Sequence, residues 1–330
     1  MLHKSENQTY ISNFGKPAKS GRSKLRSRKR SLQVRKIYLF CPEQHVEAMQ
    51  NLAEQFDFEF IINDYSETNL SNQVICHYES AQLPNDKRHF LIRATEMGAW
   101  VEPLVTYLDA RYGYTEVSLL HSSYFLHQKA FSILSNKRTQ VAKRIIDIFS
   151  ALIIGLLTLP ISLLTALFIK LESKGPVFYK QLRTGQHNEE FYIIKFRSMY
   201  QDAERDGAQW AKKNDSRVTI VGKFIRKTRI DEIPQLLNIL YGEMSMVGPR
   251  PEREVFIDKL EKEIPYYRFR HAVKPGVTGL AQVSYPYGDS IKDAIWKHKF
   301  DIHYIKHHST LTDLKIILKT IKVVLFGMGR

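Results

Sequence analysis

Residues 145–169 read IIDIFSALIIGLLTLPISLLTALFI, the longest apolar run of the chain, and this run decides the fold. It carries one charge, Asp147, and is long enough to cross a bilayer as a helix. Pro160 lies inside it, where a proline removes a backbone hydrogen bond and kinks a helix. The run therefore predicts a helical membrane segment that is broken in its middle.

Positive charge on both sides of the run bears on its orientation. The flanking basic residues are Lys143, Arg144, Lys170 and Lys174. Because the cytoplasmic flanks of membrane segments are enriched in Lys and Arg, both ends are expected on the cytoplasmic side. We therefore predict a re-entrant helix hairpin over residues 141–172, in which the Thr158 hydroxyl satisfies a carbonyl freed at Pro160. A straight span and a buried hairpin of core helices stay open as alternatives.

The composition indicates a folded protein with an anionic partner. The 330 residues are enough for two domains, and 43% of them are hydrophobic. The net charge of +15 favours nucleic acid, a phosphorylated substrate or membrane headgroups as the partner. Cys41 and Cys76 match no metal or redox spacing, which favours a reduced, cytoplasmic compartment. The polar N-terminus predicts no cleavable signal peptide.

Two segments precede the apolar run. Residues 1–34 are polar and basic, and we predict a disordered tail that an anionic membrane attracts. Residues 35–130 alternate strand patterns with helical stripes, which predicts an α/β fold, a small Rossmann-like accessory domain with a parallel sheet. Within it, residues 90–92 are predicted as a strand and residues 100–111 as a helix. No glycine-rich loop follows its first strand, so dinucleotide binding is unsupported.

An acidic pair, Asp231 and Glu232, lies in the string RKTRIDEIPQL at residues 226–236. Because Pro234 is tolerated in the first turn of a helix, a helix is expected to begin near Asp231. The helix macrodipole would then hold Asp231 ionised, as a nucleophile requires. An Asp before a helix is also an ordinary N-cap, and the pair alone does not decide between these roles.

Basic and glycine–proline motifs surround this pair in the sequence. They are KFRSM at residues 195–199, MVGPRP at residues 246–251 and KPGVTG at residues 274–279. Arginine suits bidentate recognition of phosphate, and the KPGVTG turn offers exposed amides and a hydroxyl. The combination of a carboxylate pair with these cations predicts phosphoryl chemistry on an anionic substrate.

The C-terminal segment shows one apolar helical face. Its members are Leu314, Ile317, Leu318, Ile321, Val324 and Leu325, with Lys315, Lys319 and Lys322 off this face. Asp313 or Thr312 is the expected cap. Such a helix can lie in the membrane interface or pack as a core helix with a solvated lysine face, and both remain open.

Together these motifs resemble the bacterial sugar transferase family, the monotopic polyprenyl-phosphate sugar-1-phosphate transferases (phosphoglycosyl transferases). The resemblance runs from residue 143 to about residue 326. It is carried by KRIID at 143–147, GPVFY at 175–179, KFRSM, the DEIPQL string, MVGPRP, KPGVTGLAQV at 274–283, and the segment from Asp301 and Tyr304 to Asp313. It implies a mostly helical α+β catalytic domain over residues 173–330, behind a re-entrant membrane hairpin that is broken at Pro160.

The resemblance also implies a mechanism. Asp231 would attack the β-phosphorus of a UDP-sugar and expel UMP, and a polyprenyl phosphate, undecaprenyl phosphate, would then take up the covalent sugar-phosphate. Glu232 would position Mg²⁺, which neutralises diphosphate charge. The implied substrate- and phosphate-binding residues are Lys195, Arg197, Arg226, Pro249, Arg250, Pro251, Lys274, Thr278 and Gln282. The implied location is the cytoplasmic face of a bacterial inner membrane, in exopolysaccharide, capsule or O-antigen assembly, with a homodimer left open and no nucleic acid expected.

The chain departs from the family's pattern in several places. Longer members often begin with a four-helix membrane bundle, and we predict none in this chain. Leu159 stands where serine is common, and Lys274 where arginine is common. SYPY at residues 284–287 replaces Asn-Gly, which leaves the donor sugar open.

Two other functions stay open from the sequence. A membrane-tethered polybasic protein that binds nucleic acid or lipid without turnover would explain the tail and the charge, and predicts steeply salt-dependent binding. A regulatory module that binds a nucleotide-sugar through residues 35–130 is the second, although the missing glycine-rich loop counts against it. Of the three functions, the transferase is the one that gives the acid pair a role.

Overall fold

The computed structural model describes residues 36–56, 58–66, 71–127, 131, 134–201, 203, 215–286, 288 and 290–325. The predicted basic tail, residues 1–34, lies outside the described residues. The chain divides into two compact units, Met1–Leu119 and Leu120–Arg330. This division falls on the N-terminal side of the boundary predicted at residue 130.

The N-terminal unit contains a four-stranded parallel sheet. Its strands are β1 (Lys36–Phe40), β2 (Glu59–Ile62), β3 (Val74–His77) and β4 (Trp100–Pro103), in the order β2-β1-β3-β4. Its α-helices are α1 (Val46–Ala53), α2 (Asn85–Glu96) and α3 (Leu104–Tyr112). The last four residues of β1 are buried, as expected for an inner strand of a sheet that helices cover. The parallel sheet predicted from the alternating pattern is confirmed.

Two local predictions for this unit are wrong. Residues 90–92, predicted as a strand, lie inside α2, which begins after Pro84. Residues 100–103, predicted as the start of a helix, form β4 and pair with β3. Short apolar runs do not separate helix from strand by their periodicity, so pairing in the sheet decides.

The C-terminal unit is mostly helical. Its strands are β5 (Phe178–Thr184) and β6 (Glu190–Phe196), which pair antiparallel, and β7 (Ser245–Val247) and β8 (Gly276–Thr278), which pair parallel. Its α-helices are α4 (Ser122–His127), α5 (Lys137–Glu172), α6 (Ile220–Lys227), α7 (Gln235–Tyr241), α8 (Glu254–Glu263), α9 (Leu280–Ser284), α10 (Ile291–Lys306) and α11 (Thr310–Leu325). Its main core joins α5, α7, β7 and α10 through Ala151, Ile239, Val247 and Ile305.

Helix α5 contains the apolar run. Among the described residues it is the one helix that is long and apolar enough to cross a membrane. Its buried residues are Asp147 and Ala151 near one end and Thr165 and Ile169 near the other. Between them most apolar side chains are exposed, for example Leu156 and Leu157 at 73% and 72%, whereas Ile154 packs partly against the main core. Both ends of the run therefore pack into the C-terminal unit, whereas the middle of the run is largely exposed.

The predicted break at Pro160 does not separate two helices, because α5 continues through this residue. The Thr158 hydroxyl donates to the Ile154 carbonyl (2.7 Å). Pro160 has no N–H to donate to the Leu156 carbonyl, and the sequence predicted that the Thr158 hydroxyl would donate there instead. That prediction is wrong, because the hydroxyl bonds a different carbonyl. Neighbouring hydroxyls let membrane helices tolerate a proline without ending. The re-entrant path of the segment stays a prediction.

Helix α11 buries only part of the apolar stripe read from the sequence. Asp313 and Ile316 are buried, whereas Leu314, Leu318 and Ile321 are about half exposed. The side chains at residues 324 and 325 lie outside the described part of the chain. Ile317 of the stripe packs against the main core, and the exposed members of the stripe do not support the core-helix alternative for it as a whole.

Candidate active site

The acid pair lies on a tight turn. Asp231 and Glu232 belong to a 3₁₀ turn between α6 and α7. Arg229 precedes them with a φ of 62°, a left-handed conformation that is uncommon for a non-glycine residue, and its carbonyl accepts from Glu232 N (3.2 Å). Helix α7 begins only after Pro234, so the helix start predicted near Asp231 is wrong by about one turn.

Three cations surround Glu232. Its Oε1 accepts from Arg250 Nη2 (2.6 Å) and Lys195 Nζ (3.3 Å), and Arg229 Nη1 lies 3.7 Å away. Burial by itself raises the pKa of Glu232, but Arg250 and Lys195 hold that pKa well below its ordinary value. Glu232 is therefore a permanent carboxylate that gathers the cations around its neighbour.

Asp231 is buried and incompletely paired. It is 8% exposed, and its Oδ1 has no hydrogen-bond partner among the described residues. Burial and the adjacent Glu232 carboxylate raise the pKa of Asp231 to about 6. The sequence predicted a lowered pKa, because the macrodipole of a helix that begins at Asp231 would favour the carboxylate. Helix α7 begins later in the chain, and the effect of burial on the pKa of Asp231 is larger than that of the macrodipole. The carboxylate is nevertheless ionised at neutral pH and has an open oxygen, as a nucleophile requires.

Strand β6 brings Lys195 to the pair, and Asn238 fixes this strand to α7. Asn238 Oδ1 accepts from Ile194 N (3.0 Å), and its Nδ2 donates to the Tyr192 carbonyl (2.8 Å). The amide is fully buried, so both bonds are shielded from water. Sequence reasoning missed this residue. The available signal was one amide inside the otherwise apolar stretch LLNIL of α7.

Arg250 reaches the pair from the loop after β7. A Cβ on Gly276 would lie 2.1 Å from the nitrogen of Gly248, so the two backbones meet at a distance that only glycine allows. The Gly276 amide also donates to the Pro249 carbonyl (2.9 Å). Pro249 and Pro251 are buried in this contact. The MVGPRP and KPGVTG motifs therefore form one packed structure that presents the Arg250 side chain.

Arg197 lies away from the acid pair. It is buried, and it donates to the carbonyls of Ile169 (3.4 Å), Ser173 (2.8 Å) and Lys174 (3.1 Å). The last carbonyls of a helix have no partner inside the helix, and cations are favourable there. Arg197, predicted to bind phosphate, thus closes the C-terminal end of α5.

Four other predicted residues make no hydrogen bond or ion pair with the acid pair in the described part of the chain. They are Arg226 in α6, Lys274 before β8, Thr278 in β8 and Gln282 in α9. The Thr278 hydroxyl bonds the Thr320 hydroxyl of α11 (2.6 Å), and Gln282 Nε2 donates to the Val277 carbonyl (3.0 Å). Thr278 and Gln282 therefore belong to the scaffold behind the Arg250 loop.

The chain belongs to the bacterial sugar transferase family. The model of that family matches residues 138–327, more than half of the chain. The resemblance drawn from the motifs is thereby confirmed. The matched region contains α5 except its first residue, the acid pair, and Lys195, Arg229 and Arg250.

Curated relatives from several bacteria share this region. An Aeromonas hydrophila protein, UDP-N-acetylgalactosamine-undecaprenyl-phosphate N-acetylgalactosaminephosphotransferase, is 47% identical over 205 residues, which are 62% of this chain and 48% of that protein. A Caulobacter vibrioides UDP-glucose:undecaprenyl-phosphate glucose-1-phosphate transferase is 41% identical over 185 residues, 56% of this chain and 69% of that protein. The exopolysaccharide production protein PSS of Rhizobium leguminosarum bv. phaseoli is 41% identical over 187 residues, 55% of this chain and 94% of that protein. The chain thus spans about half the length of the Aeromonas relative.

Proposed function

We propose that the chain transfers a sugar-1-phosphate from a UDP-sugar to undecaprenyl phosphate at the cytoplasmic face of the bacterial inner membrane. The observation that carries this proposal is Asp231, a buried carboxylate with an unpaired oxygen beside cations that Glu232 gathers. The names of the Aeromonas and Caulobacter relatives, which state such transfers, support it.

The first step forms a covalent intermediate. A carboxylate oxygen of Asp231 attacks the β-phosphorus of the UDP-sugar, the bond from that phosphorus to the bridging oxygen breaks, and UMP leaves with the electron pair. Lys195 and Arg250 face the phosphate oxygens and offset the charge that develops on the leaving group. The product is an acyl phosphate that joins Asp231 to the sugar-1-phosphate.

The second step releases the sugar to the lipid. An oxygen of the polyprenyl phosphate attacks the same phosphorus, and the bond to Asp231 breaks with its electron pair returning to the carboxylate. Both nucleophiles are anions, so neither step needs a general base. The cations around Glu232 outnumber the two carboxylates by one, which favours the approach of a second anionic substrate.

The acid pair also fits a divalent cation. Asp231 Oδ1 has no partner among the described residues, and the cations around Glu232 contact its Oε1. Mg²⁺ prefers carboxylate oxygens in combination with substrate phosphates. We therefore infer that Glu232 would hold Mg²⁺ through its other oxygen, which leaves Asp231 as the nucleophile, and that the ion would neutralise diphosphate charge when bound.

We infer that α5 enters the cytoplasmic leaflet and returns. Its start is bonded to β7 through Asp147, and its end is bonded to Arg197, so both ends contact one unit. A straight span would place these ends on opposite sides of the bilayer. The bare apolar middle of α5 fits a lipid environment. This path would bring the acceptor phosphate, at the headgroup plane, beside the acid pair.

No observation on the described residues favours a polybasic binding protein without turnover. Its basic tail lies outside those residues, and a buried acid pair would have no function in it. No observation on the described residues favours a nucleotide-sugar sensor in the N-terminal unit either. The purpose of that unit is left open.

Release of UMP tests the proposed reaction. The purified chain is incubated with Mg²⁺, undecaprenyl phosphate and a panel of UDP-sugars that includes UDP-N-acetylgalactosamine and UDP-glucose. We expect UMP from at least one donor and none from Asp231→Asn. Because Asn keeps the shape of Asp and removes a buried charge, this variant should melt no lower than the wild type. Asp258→Asn, on the exposed side of α8, is the matched control and should keep full activity.

Two results would count against the proposal. Absence of UMP with every donor would rule out the transferase. Activity that persists in Asp231→Asn would rule out the nucleophile and leave the transferase itself standing.

A further inference from the structure

A buried ion pair holds the first end of the loop that carries Arg250. Lys143 Nζ donates to the Val247 carbonyl (2.9 Å) and to Asp313 Oδ2 (2.8 Å). The side chains of Lys143 and Asp313 are 17% and 5% exposed. Val247 is the last residue of β7, directly before the loop. The start of α5 is therefore bonded to the backbone that leads into this loop.

A second buried ion pair holds the loop at Arg250 itself. Arg270 Nη2 donates to the Arg250 carbonyl (3.1 Å) and to Asp301 Oδ2 (2.8 Å). The side chains of Arg270 and Asp301 are 3% and 2% exposed. As at the other end, one cation binds one carboxylate and one loop carbonyl.

Helix α10 connects the two pairs. It supplies Asp301 to one of them, and three residues later Tyr304 to the other, so the two side chains leave one face of the helix. The Tyr304 hydroxyl lies within hydrogen-bonding distance of Asp313 Oδ1 (2.8 Å) and of the Val247 carbonyl (3.0 Å). The family resemblance singles out these residues, and the proposed reaction steps use none of them.

Stability alone does not explain two such pairs. Removing charges from water costs about as much as the pair gains, and apolar residues of similar volume often stabilise a core equally well. A buried ion pair does fix geometry, because each partner must keep its distance and direction. Here the fixed atoms are the carbonyl oxygens of Val247 and Arg250, which lie at the two ends of the backbone of residues 248–250.

We propose that these two ion pairs are positioning devices for Arg250. Lys143 with Asp313 and Arg270 with Asp301 hold the loop so that the Arg250 guanidinium stays on Glu232, 2.6 Å from its Oε1. The inference rests on the proposed function, in which Arg250 faces the phosphate oxygens. It makes the entry of α5 a part of the active-site geometry.

The test separates loop position from stability by a double substitution. Lys143→Met and Asp313→Asn each remove one partner of the buried pair, so each should lower the melting temperature. The double variant removes both charges and should recover part of that loss, because the buried Asp147 near Lys143 keeps its charge. The Val247 carbonyl keeps the neutral hydroxyls of Tyr304 and Ser245 but loses its charged donor, so the kcat for UMP release should stay about tenfold below the wild type. The KM for undecaprenyl phosphate should not change.

Hydrogen exchange supplies a readout that does not depend on activity. The amides of Gly248, Arg250 and Glu252, the residues of the 248–252 segment that carry an N–H, should exchange faster in the double variant than in the wild type. Tyr304→Phe keeps the side-chain volume and removes one hydroxyl, and it should lower kcat about fivefold. This variant tests the same contact if the double variant does not fold. Glu79→Gln is the matched control, because it breaks a buried pair with His45 in the N-terminal unit and should leave exchange at 248–252 and UMP release unchanged.

Three outcomes would overturn the positioning role. In the first, the double variant recovers UMP release together with its melting temperature. In the second, exchange at residues 248–252 is the same in the double variant and the wild type. In the third, exchange is faster in the double variant but its kcat equals that of the wild type. If the wild type releases no UMP, the proposed function fails, and the exchange measurement still decides whether the pairs hold the loop.

Discussion

Replacement of Arg197 by Met should destabilise the chain without weakening donor binding. The guanidinium is buried and donates to three carbonyls at the end of α5 and to Ser173 Oγ. A hydrogen bond to a charged group contributes about 1.5–3 kcal/mol, and a buried acceptor left unpaired costs about 1–3 kcal/mol. Water can reach some of these carbonyls at the helix end, so we expect a total loss of about 3–5 kcal/mol. For a unit of this size the melting temperature should fall by roughly 10 °C.

The assay must decide whether Arg197 caps the C-terminal end of α5 or binds a substrate phosphate. Melting is followed by intrinsic fluorescence in detergent, and the KM for the UDP-sugar is measured on the same samples below both transitions. A cap predicts a lower melting temperature and an unchanged KM. An unchanged melting temperature with a raised KM would refute the capping role and restore the phosphate-binding role read from KFRSM. Lys227→Met is the matched control, because this exposed lysine of α6 belongs to none of the predicted binding residues and should change neither the melting temperature nor the KM.

Two further outcomes are expected. Burial raises the pKa of Asp231 to about 6 and the attack needs the anion, so UMP release should fall about tenfold for each pH unit below about 6; a rate that stays flat down to pH 4 would contradict this role. Lys137→Cys and Lys174→Cys, at the two ends of α5, should both react with an impermeant maleimide only from the cytoplasmic side, while the buried Cys41 and Cys76 stay unlabelled. Labelling of one end from outside would mean a straight span.

The sequence motifs indicate which residue types lie around the acid pair, because a motif specifies residue types. Lys195 and Arg250 were predicted beside the acid pair, and both contact Glu232. The direction of a side chain is harder to predict. Lys195 and Arg197 are two residues apart and would share a face in a continuous strand. Strand β6 ends at residue 196, so Arg197 turns toward α5 instead.

The turn of the acid pair shows a second limit. Pro234 is compatible with an N-cap as well as with the first helical turn, so the sequence places the helix start only to within a turn. The left-handed Arg229 has no sequence signal, since arginine carries no preference for positive φ. Without that turn, the burial that raises the pKa of Asp231 is not predictable. Contacts such as Lys143 with Asp313, 170 positions apart, depend on the whole fold.

The start of α5 makes further contacts of this kind. Arg144 donates to the Leu240 carbonyl at the end of α7 (2.9 Å), and Asp147 accepts from Met246 N in β7 (2.9 Å). Together with Lys143, these side chains occupy less than two turns of α5 and hold both the helix that follows the acid pair and the strand before Arg250. A simple anchor would need none of these bonds. Helix α5 is therefore bonded to the elements that flank the acid pair and Arg250, so under the proposed function a shift of this helix would also move the reacting groups.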